Sequence, residues 1–188
     1  MGIGHRQHLR NHREGRGQRP VSSREPLHVV FKAEKSRLRL RSLRSSRSFL
    51  IVNNVVQLYA AKFGVQVEQI SIQNDHVHLL LRAHRCSRFV DFFRTVTGQI
   101  AQRLEREGLL AGFNQPAATV TDTPSADSKK GTGLWKHRPF SRVVRGWRAY
   151  KIAKNYIQLN EQEARGQIPY RKARLRGLSM SEWRLLWS

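Results

Sequence analysis

The sequence predicts an α+β fold: a mostly antiparallel, ferredoxin-like sheet of the split β-α-β type, with helices on one face and a further helix near the C-terminus. The apolar patterns run in the order strand, helix, strand, strand, helix, strand, helix. Residues 65–73 and 76–82 both have strand character, and only a tight turn at Asn74 and Asp75 separates them, so they form a hairpin. A length of 188 residues suits one domain with ragged ends.

The first strand and the first helix follow from apolar spacing. Leu27, Val29 and Phe31 alternate, so they share one face of a strand. Apolar residues then recur at helical spacing over about 46–63, and Gly64 can close that helix in the left-handed conformation. These two elements supply the first half of the split β-α-β pair.

The second strand and the second helix carry two local signals. The alternation of the second strand slips phase near Gln69, which predicts a β-bulge. Ser87 is the predicted N-cap of the second helix, and Gly108 its terminator. The predicted buried stripe of this helix consists of Phe89, Val90, Phe93, Val96, Ile100 and Leu104.

The last strand and helix follow an insertion. Residues 108–133 are rich in small and turn-forming residues, which indicates a flexible surface insertion. Residues 134–144 are predicted as a strand, and Pro139 favours an edge position or a bulge there. A third helix is predicted at 146–163, with a buried side formed by Trp147, Tyr150, Ala153 and Ile157.

Basic segments flank the predicted domain at 26–163. Residues 1–25 hold six arginines and few large apolar residues, so we interpret them as a flexible basic arm. Residues 164–188 form a basic C-terminal tail, in which Trp183 and Trp187 are spaced to anchor a short helix.

The charge balance indicates a nucleic-acid partner. Lys and Arg number 35 against 13 Asp and Glu, which gives a net charge of +22, and the sequence pI is near 11.6. A charge of this size, spread along the whole chain, is typical of proteins that bind polyphosphate, so we expect DNA or RNA as partner. The predicted phosphate-contacting residues are Lys35, Arg37, Arg39, Arg41, Arg44, Arg47, Arg138 and Arg142.

Other classes of protein are disfavoured. No apolar run approaches the length needed to span a bilayer, and the N-terminus has no signal-peptide core. Cys86 is the only cysteine, so a disulfide framework and a cysteine-rich zinc site are both excluded. We therefore expect a cytoplasmic protein with no membrane partner.

Two pairs of residues carry the candidate chemistry. His76 and His78 lie two apart in a strand, so both face the same way and can bind one metal ion, although a core histidine beside a solvated one is the commoner arrangement. Tyr156 and Asn160 are one helical turn apart at the edge of the third helix's buried stripe. Imidazoles and an amide oxygen suit a divalent ion with open positions for phosphate. A tyrosine oxygen beside that ion could attack the phosphorus.

These motifs resemble a known family. Asn-Asp-His-Val-His-Leu-Leu-Leu at 74–81, Tyr-Ile-Gln-Leu-Asn at 156–160 and the strand at 134–144 are similar to the single-tyrosine HUH transposases of the IS200-like family, above all to the REP-associated tyrosine transposases. The resemblance covers about 26–163. Two departures are that the branch often continues Asn-Pro-Val where Asn160 is followed here by Glu161, and that the insertion is long.

The resemblance implies a single-stranded DNA endonuclease and strand transferase that forms a 5′-phosphotyrosine link, usually after recognising a DNA hairpin. It implies Mg²⁺ or Mn²⁺ held by His76, His78 and Asn160, with Tyr156 as nucleophile. It leaves open whether the protein is a monomer or a homodimer that exchanges tyrosine helices.

Two alternatives remain from the residues alone. One is a non-catalytic nucleic-acid-binding protein on the same fold, although an RNA-binding sheet would favour exposed aromatic residues in its central strands. The other is a metal-dependent nuclease that uses water in place of Tyr156.

Overall fold

A computed structural model of the protein describes residues 20–111 and 133–187. Most of the predicted basic arm at 1–25 and of the predicted insertion at 108–133 therefore lies outside the described residues. The ordered elements are β1 (Leu27–Lys32), α1 (Ser46–Phe63), β2 (Val65–Ile72), β3 (His76–Ala83), α2 (Cys86–Arg106), β4 (Phe140–Val143), α3 (Trp147–Ala164) and α4 (Met180–Leu185), with short 3-10 turns at Lys35–Arg37 and Arg174–Gly177.

The four strands form one sheet in the order β2-β3-β1-β4, and every neighbouring pair is antiparallel. Helices α1 and α2 both pack on one face of the sheet, and β2 and β3 form the predicted hairpin. The split β-α-β, ferredoxin-like fold class is therefore confirmed. The phase slip in β2 is also confirmed as a bulge, because the pairing with β3 shifts register between Val67 and Gln69.

The two faces of β3 pack against different layers. Val77, Leu79 and Leu81 are fully buried in the main core, against α1 and α2. His76, His78 and Leu80 face the other way, and Leu80 packs against Ile157 of α3. This second face of the sheet is therefore the one that meets α3, and we call it the site face.

Helix α3 covers only part of the site face. It packs most closely against β2 and β3, and it covers the part of the face formed by β1 and β4 less closely. The prediction that Trp147 lies on the buried side of α3 is wrong, because Trp147 is 68% exposed and stacks on Tyr150. The buried residues of α3 lie instead in its second half, from Ile157 to Gln162.

Helix α2 differs from its sequence prediction at its start and on one side. Its N-cap is Arg85 in extended conformation, and Ser87 already lies in the first turn, so the prediction of a Ser87 cap is wrong. Val90 is exposed whereas Phe92 is fully buried, because the face that packs on the core is centred between Phe92 and Phe93 and Val90 lies at its margin. Gly108 adopts the left-handed conformation just after the helix, as its predicted role requires.

Strand β4 is shorter than the predicted strand at 134–144. It forms the sheet edge, as Pro139 predicts, but regular pairing starts only after that proline, because proline has no N–H to donate. Trp135 makes a single isolated bridge to Ala33, and its indole nitrogen donates to the Thr97 carbonyl. The segment before β4 is thus held by its tryptophan and by two backbone hydrogen bonds, from Glu34 N to the Leu134 carbonyl and from Lys136 N to the Lys32 carbonyl.

The C-terminal segment packs on α3 around a small apolar cluster. Leu159 of α3, Ile168 and Leu186 form this cluster, with Trp183 against it. Trp187 is exposed, so only one of the two tryptophans anchors the short helix α4. In the described part of the chain, no helix is both long and apolar enough to cross a bilayer.

Candidate active site

The histidine strand brings two imidazoles together beneath α3. His78 is buried, His76 is half-buried, and their ring centroids lie 4.7 Å apart. His76 Nδ1 donates to Asp75 Oδ1 at 2.7 Å, which fixes its ring and leaves Nε2 with the lone pair when the ring is neutral. The predicted shared face of the two histidines is thus present.

A third histidine, His28 of β1, completes this cluster. Its Nε2 lies 3.1 Å from His78 Nδ1, and the two rings stack. Burial lowers the pKa of His28, with a further contribution from the charge of Arg142. Burial also lowers the pKa of His78, to about 3, and the neighbouring charges of His76, His28 and Arg174 add to that shift. Both rings are therefore neutral near pH 7, which is the form that binds metal.

Sequence reasoning missed His28, although one signal for it exists. In β1 it alternates with buried Leu27 and Val29, so it must lie on the opposite face. The split β-α-β order makes β1 and β3 neighbours. The register, in which His28 stands opposite Leu80, is what brings it diagonally next to His78. That register cannot be derived from the sequence pattern.

Tyr156 meets the histidine cluster from α3. Its ring centroid lies 5.7 Å from that of His78 and 6.3 Å from that of His28, in edge-on arrangements. Tyr156 is half-buried, so its ring is partly open to solvent. The structure thus brings the predicted tyrosine and the predicted histidines to one place from elements far apart in sequence.

Asn160 lies one turn further along α3, and its amide is held on both sides. Its Nδ2 donates to the Tyr156 carbonyl at 2.7 Å. Its Oδ1 accepts a hydrogen bond from Arg174 Nη2 at 2.7 Å, and its backbone carbonyl accepts one from Gln73 Nε2 at 2.7 Å. The orientation of the amide oxygen is therefore fixed toward Arg174.

Arg174 is a second residue that sequence reasoning missed. Besides Asn160, it binds both carboxylate oxygens of Glu163 at 2.8 Å. Its guanidinium lies 5.2 Å from the ring centre of Tyr156 and 5.1 Å from that of Tyr170. Arg174 also has a positive φ of 53°, unusual for a residue other than glycine. No sequence pattern signals it, because it lies in what looks like a plain basic tail.

The donor set fits a divalent ion. Two imidazoles and one amide oxygen are ligand types that such ions accept, and an amide oxygen has a second lone pair beside the one that Arg174 occupies. Within residues 20–111 and 133–187, no group of three or more His, Cys, Asp or Glu side chains is placed to hold a metal. Asn160, whose amide oxygen accepts from Arg174, is the third donor that the sequence predicts.

Most of the predicted phosphate-contacting residues lie on the surface. Lys35 is exposed beside Asp75, with 3.8 Å between Nζ and Oδ2, and Arg47 is exposed and paired with Glu107. Arg37 is half-buried in its 3-10 turn. The remaining exposed members of the set are Arg39, Arg41, Arg138 and Arg142.

Arg44 differs from the rest of the set. Its side chain is only 20% exposed and binds both carboxylate oxygens of Glu161, at 3.1 and 3.2 Å. It also donates to the Ile72 carbonyl at 2.8 Å. Its guanidinium is turned inward, so it links the segment before α1 to α3.

Comparison with known proteins finds similarity to transposases. Residues 23–111 match the sequence-family model of IS200-like transposases, so the resemblance given by the histidine motif is confirmed. That match includes His28, His76 and His78 and ends before α3, so Tyr156 and Asn160 lie outside it. No curated protein matches the chain in sequence.

Two solved structures are similar to this one. A REP-associated tyrosine transposase bound to a REP hairpin matches with a TM-score of 0.56 and 12% identity, over 82% of this chain and 76% of that chain. That likeness shows a shared fold. A Deinococcus radiodurans R1 protein assigned provisionally to the transposases has a TM-score of 0.45 and 19% identity, over 78% of this chain and 98% of that chain.

Proposed function

We propose that this protein is a transposase that cleaves and rejoins single-stranded DNA through a covalent link to Tyr156. The observation that carries the proposal is the edge-on contact of the Tyr156 ring with His78, 5.7 Å between centroids, beside a second histidine at the same face. A tyrosine in an ordinary core contact would not need a cluster of imidazoles next to it. The match of residues 23–111 to IS200-like transposases supports the same reaction class.

The reaction that fits these residues is a phosphoryl transfer. The Tyr156 hydroxyl oxygen attacks the phosphorus of a phosphodiester and loses its proton to solvent or a neighbouring base. The new O–P bond forms as the P–O3′ bond breaks, and the departing 3′ oxygen takes up a proton. The product is a 5′-phosphotyrosine and a free 3′-hydroxyl. Rejoining is the reverse step with a new 3′-hydroxyl.

We further propose that His76, His78 and Asn160 hold Mg²⁺ or Mn²⁺. The ε nitrogens of the two imidazoles and Oδ1 of Asn160 would be the ligands. When bound, such an ion supplies polarisation of the phosphoryl group and offsets its charge. Asp75 and His28 orient the two imidazoles, and Arg174 sets the direction of the amide oxygen.

A DNA hairpin with single-stranded flanks is the proposed substrate. The net charge of +22 suits a polyanionic partner, and six of the predicted phosphate-contacting residues have exposed side chains. The REP-associated transposase of similar fold is bound to a hairpin in its structure, which supports the same substrate class here.

The decisive experiment compares two tyrosines that flank the same arginine. Wild-type protein, Tyr156→Phe and Tyr170→Phe are each incubated with a flanked hairpin oligonucleotide and Mg²⁺ or Mn²⁺. A denaturing gel then detects protein-linked DNA. Because Tyr170 also contacts Arg174 but is exposed, its variant should form the adduct at the wild-type level. Tyr156→Phe should bind DNA normally and form none.

Two results would contradict the proposal. Cleavage by Tyr156→Phe at the wild-type rate would assign the attack to water. Tight binding by the wild-type protein with no cleavage under either metal would leave only a nucleic-acid-binding function. His76→Ala and His78→Ala test the metal assignment, since each should raise the metal concentration needed for half-maximal adduct formation.

A further inference from the structure

A pocket opens at the part of the site face that β1 and β4 form. It lies between edge strand β4 and the first half of α3, has a volume of about 690 Å³, and has Tyr156 and His28 among its lining residues. A volume of this size falls within the range of small-ligand pockets, roughly 300–1,000 Å³. The pocket is thus adjacent to the proposed nucleophile and open to a ligand from outside.

The walls of the pocket are mostly apolar. Val144, Ala149 and Ala153 line its interior, and Phe140 and Ile152 line it while remaining largely exposed, Phe140 at 59%. Phe140 stands opposite Val30, and Arg142 stands opposite His28, so both side chains share the face of the histidine cluster. Large apolar side chains left exposed beside a reactive group indicate a binding surface.

The charge at this pocket is positive. Arg142 and Arg145 line it, and none of its lining residues within the described part of the chain is an aspartate or a glutamate. A ligand that matches these walls has a flat apolar body and a negative charge beside it. A nucleotide has both, because its base can stack on an aromatic ring while its phosphates meet arginine side chains.

We propose that this pocket binds the base of one unpaired nucleotide next to the phosphodiester that Tyr156 attacks. The inference rests on the proposed function and specifies how the cleavage position is chosen. Phe140 is the stacking surface, Ile152 covers the other side of the base, and Arg142 and Arg145 contact the flanking phosphates. A paired base cannot enter, because it would first have to leave its stack.

The test measures binding without cleavage. Tyr156→Phe protein in EDTA is titrated with a hairpin carrying a thymidine tail on each side, in which one abasic position is moved along each tail. Because base stacking on aromatic residues contributes to binding, we expect the protein to bind the oligonucleotide roughly tenfold more weakly when the base at one particular tail position is missing. All other tail positions should have smaller effects.

Three further variants locate the effect. Adding Phe140→Ala or Ile152→Ala to Tyr156→Phe should abolish the position-specific loss, since the abasic and intact strands would then bind alike. Leu58→Ala is the matched control, because Leu58 is similarly exposed, at 52%, but lies on α1 across the sheet. All three substituted residues are on the surface, so these variants should keep the wild-type fold.

The results separate this inference from the proposed function. A uniform response along both tails, or a position-specific loss that persists in Phe140→Ala, overturns the pocket assignment. Adduct formation by the wild-type protein together with a uniform response refutes the pocket alone. A position-specific loss in a protein that never forms the adduct upholds the pocket and refutes the tyrosine chemistry.

Discussion

His28 shows how a residue that belongs to no motif can become part of a site. If His78 donates from Nδ1 to His28 Nε2, the lone pair of His78 lies on Nε2, where a metal would bind. The lowered pKa of His28 keeps its ring neutral near pH 7, so its Nε2 accepts when the ring proton is on Nδ1. In that arrangement His28 selects the tautomer of His78 that leaves Nε2 free to bind a metal.

We expect His28→Ala to weaken Mn²⁺ binding by about 10–100-fold, the usual cost of losing a group that orients a metal ligand. His28→Gln should restore part of the affinity, because its amide oxygen can accept the hydrogen bond from His78. Calorimetric titration of the apo-protein measures both. His84→Ala, an exposed histidine away from the site, is the control. Equal affinities for His28→Ala and wild type would remove His28 from the site.

Arg44 is the opposite case, a residue that a sequence pattern assigns to a function but that the structure places elsewhere. The alternation of arginine with serine and leucine places it among the phosphate-contacting residues, but the structure turns it inward to Glu161. Sequence alternation cannot distinguish an arginine that faces solvent from one that faces a carboxylate distant in sequence. Arg47, three residues on, is 70% exposed and paired only at the surface.

Arg44→Gln and Arg47→Gln should therefore have contrasting effects. Arg44→Gln should lower the free energy of unfolding by about 2 kcal/mol, since it leaves the largely buried Glu161 carboxylate short of a partner. Arg47→Gln should cost about 0.5 kcal/mol or less and reduce the salt dependence of DNA binding by about one unit of log–log slope. Urea unfolding and a salt series of binding measurements check the two. If Arg44→Gln instead reduced the salt dependence and Arg47→Gln lowered the stability, Arg44 would be a DNA contact.

At the scale of elements, the periodic segments were the predictable ones. β1, α1, the β2–β3 hairpin and its bulge all match their sequence patterns closely, because each buries one face against the main core. The sequence predictions that are wrong concern segments in which the apolar periodicity is weak. β4 is shortened by Pro139. In the first turn of α3, the apolar residue Trp147 is exposed and packs against no core.

The short helix α4 is held by a carboxylate. Glu182 accepts from the Ser179 backbone at 2.8 Å and from Arg171 Nη1 at 2.6 Å, and Ser179 caps the helix in return. The Arg171 guanidinium, followed by the Ser179 backbone, lowers the pKa of Glu182 from 4.5 to about 2. A lowered pKa in the folded state means that the stabilisation is complete above pH 4.5 and is lost as the pH falls toward 2.

We expect the amides of α4 to lose protection from hydrogen exchange between pH 4.5 and pH 2, after correction for the intrinsic exchange rate. Glu182→Gln should show reduced protection already at neutral pH and no further loss in that window. Glu105→Gln, an exposed glutamate on α2, should behave as wild type. Identical profiles for Glu182→Gln and wild type would show that this carboxylate does not hold the helix.

At the scale of the whole molecule, only half of the candidate site can be predicted from the sequence. The shared face of His76 and His78 follows from strand geometry alone, and the one-turn spacing of Tyr156 and Asn160 from helix geometry. Which face of the sheet α3 covers depends on tertiary packing around Leu80 and Ile157. The positions of His28 and Arg174 depend on that packing too, so no pattern in one element could give them.

One consequence follows from the bonds that attach α3 to its own sheet. Gln73 binds the Asn160 carbonyl, and Ser71 and Arg44 bind the Glu161 carboxylate. Tyr156 is thus held beside the histidines of the same polypeptide. Two inactive proteins, Tyr156→Phe and His78→Ala, should therefore fail to complement each other when mixed, even at high concentration. Recovered adduct formation in the mixture would mean that helices are exchanged between copies.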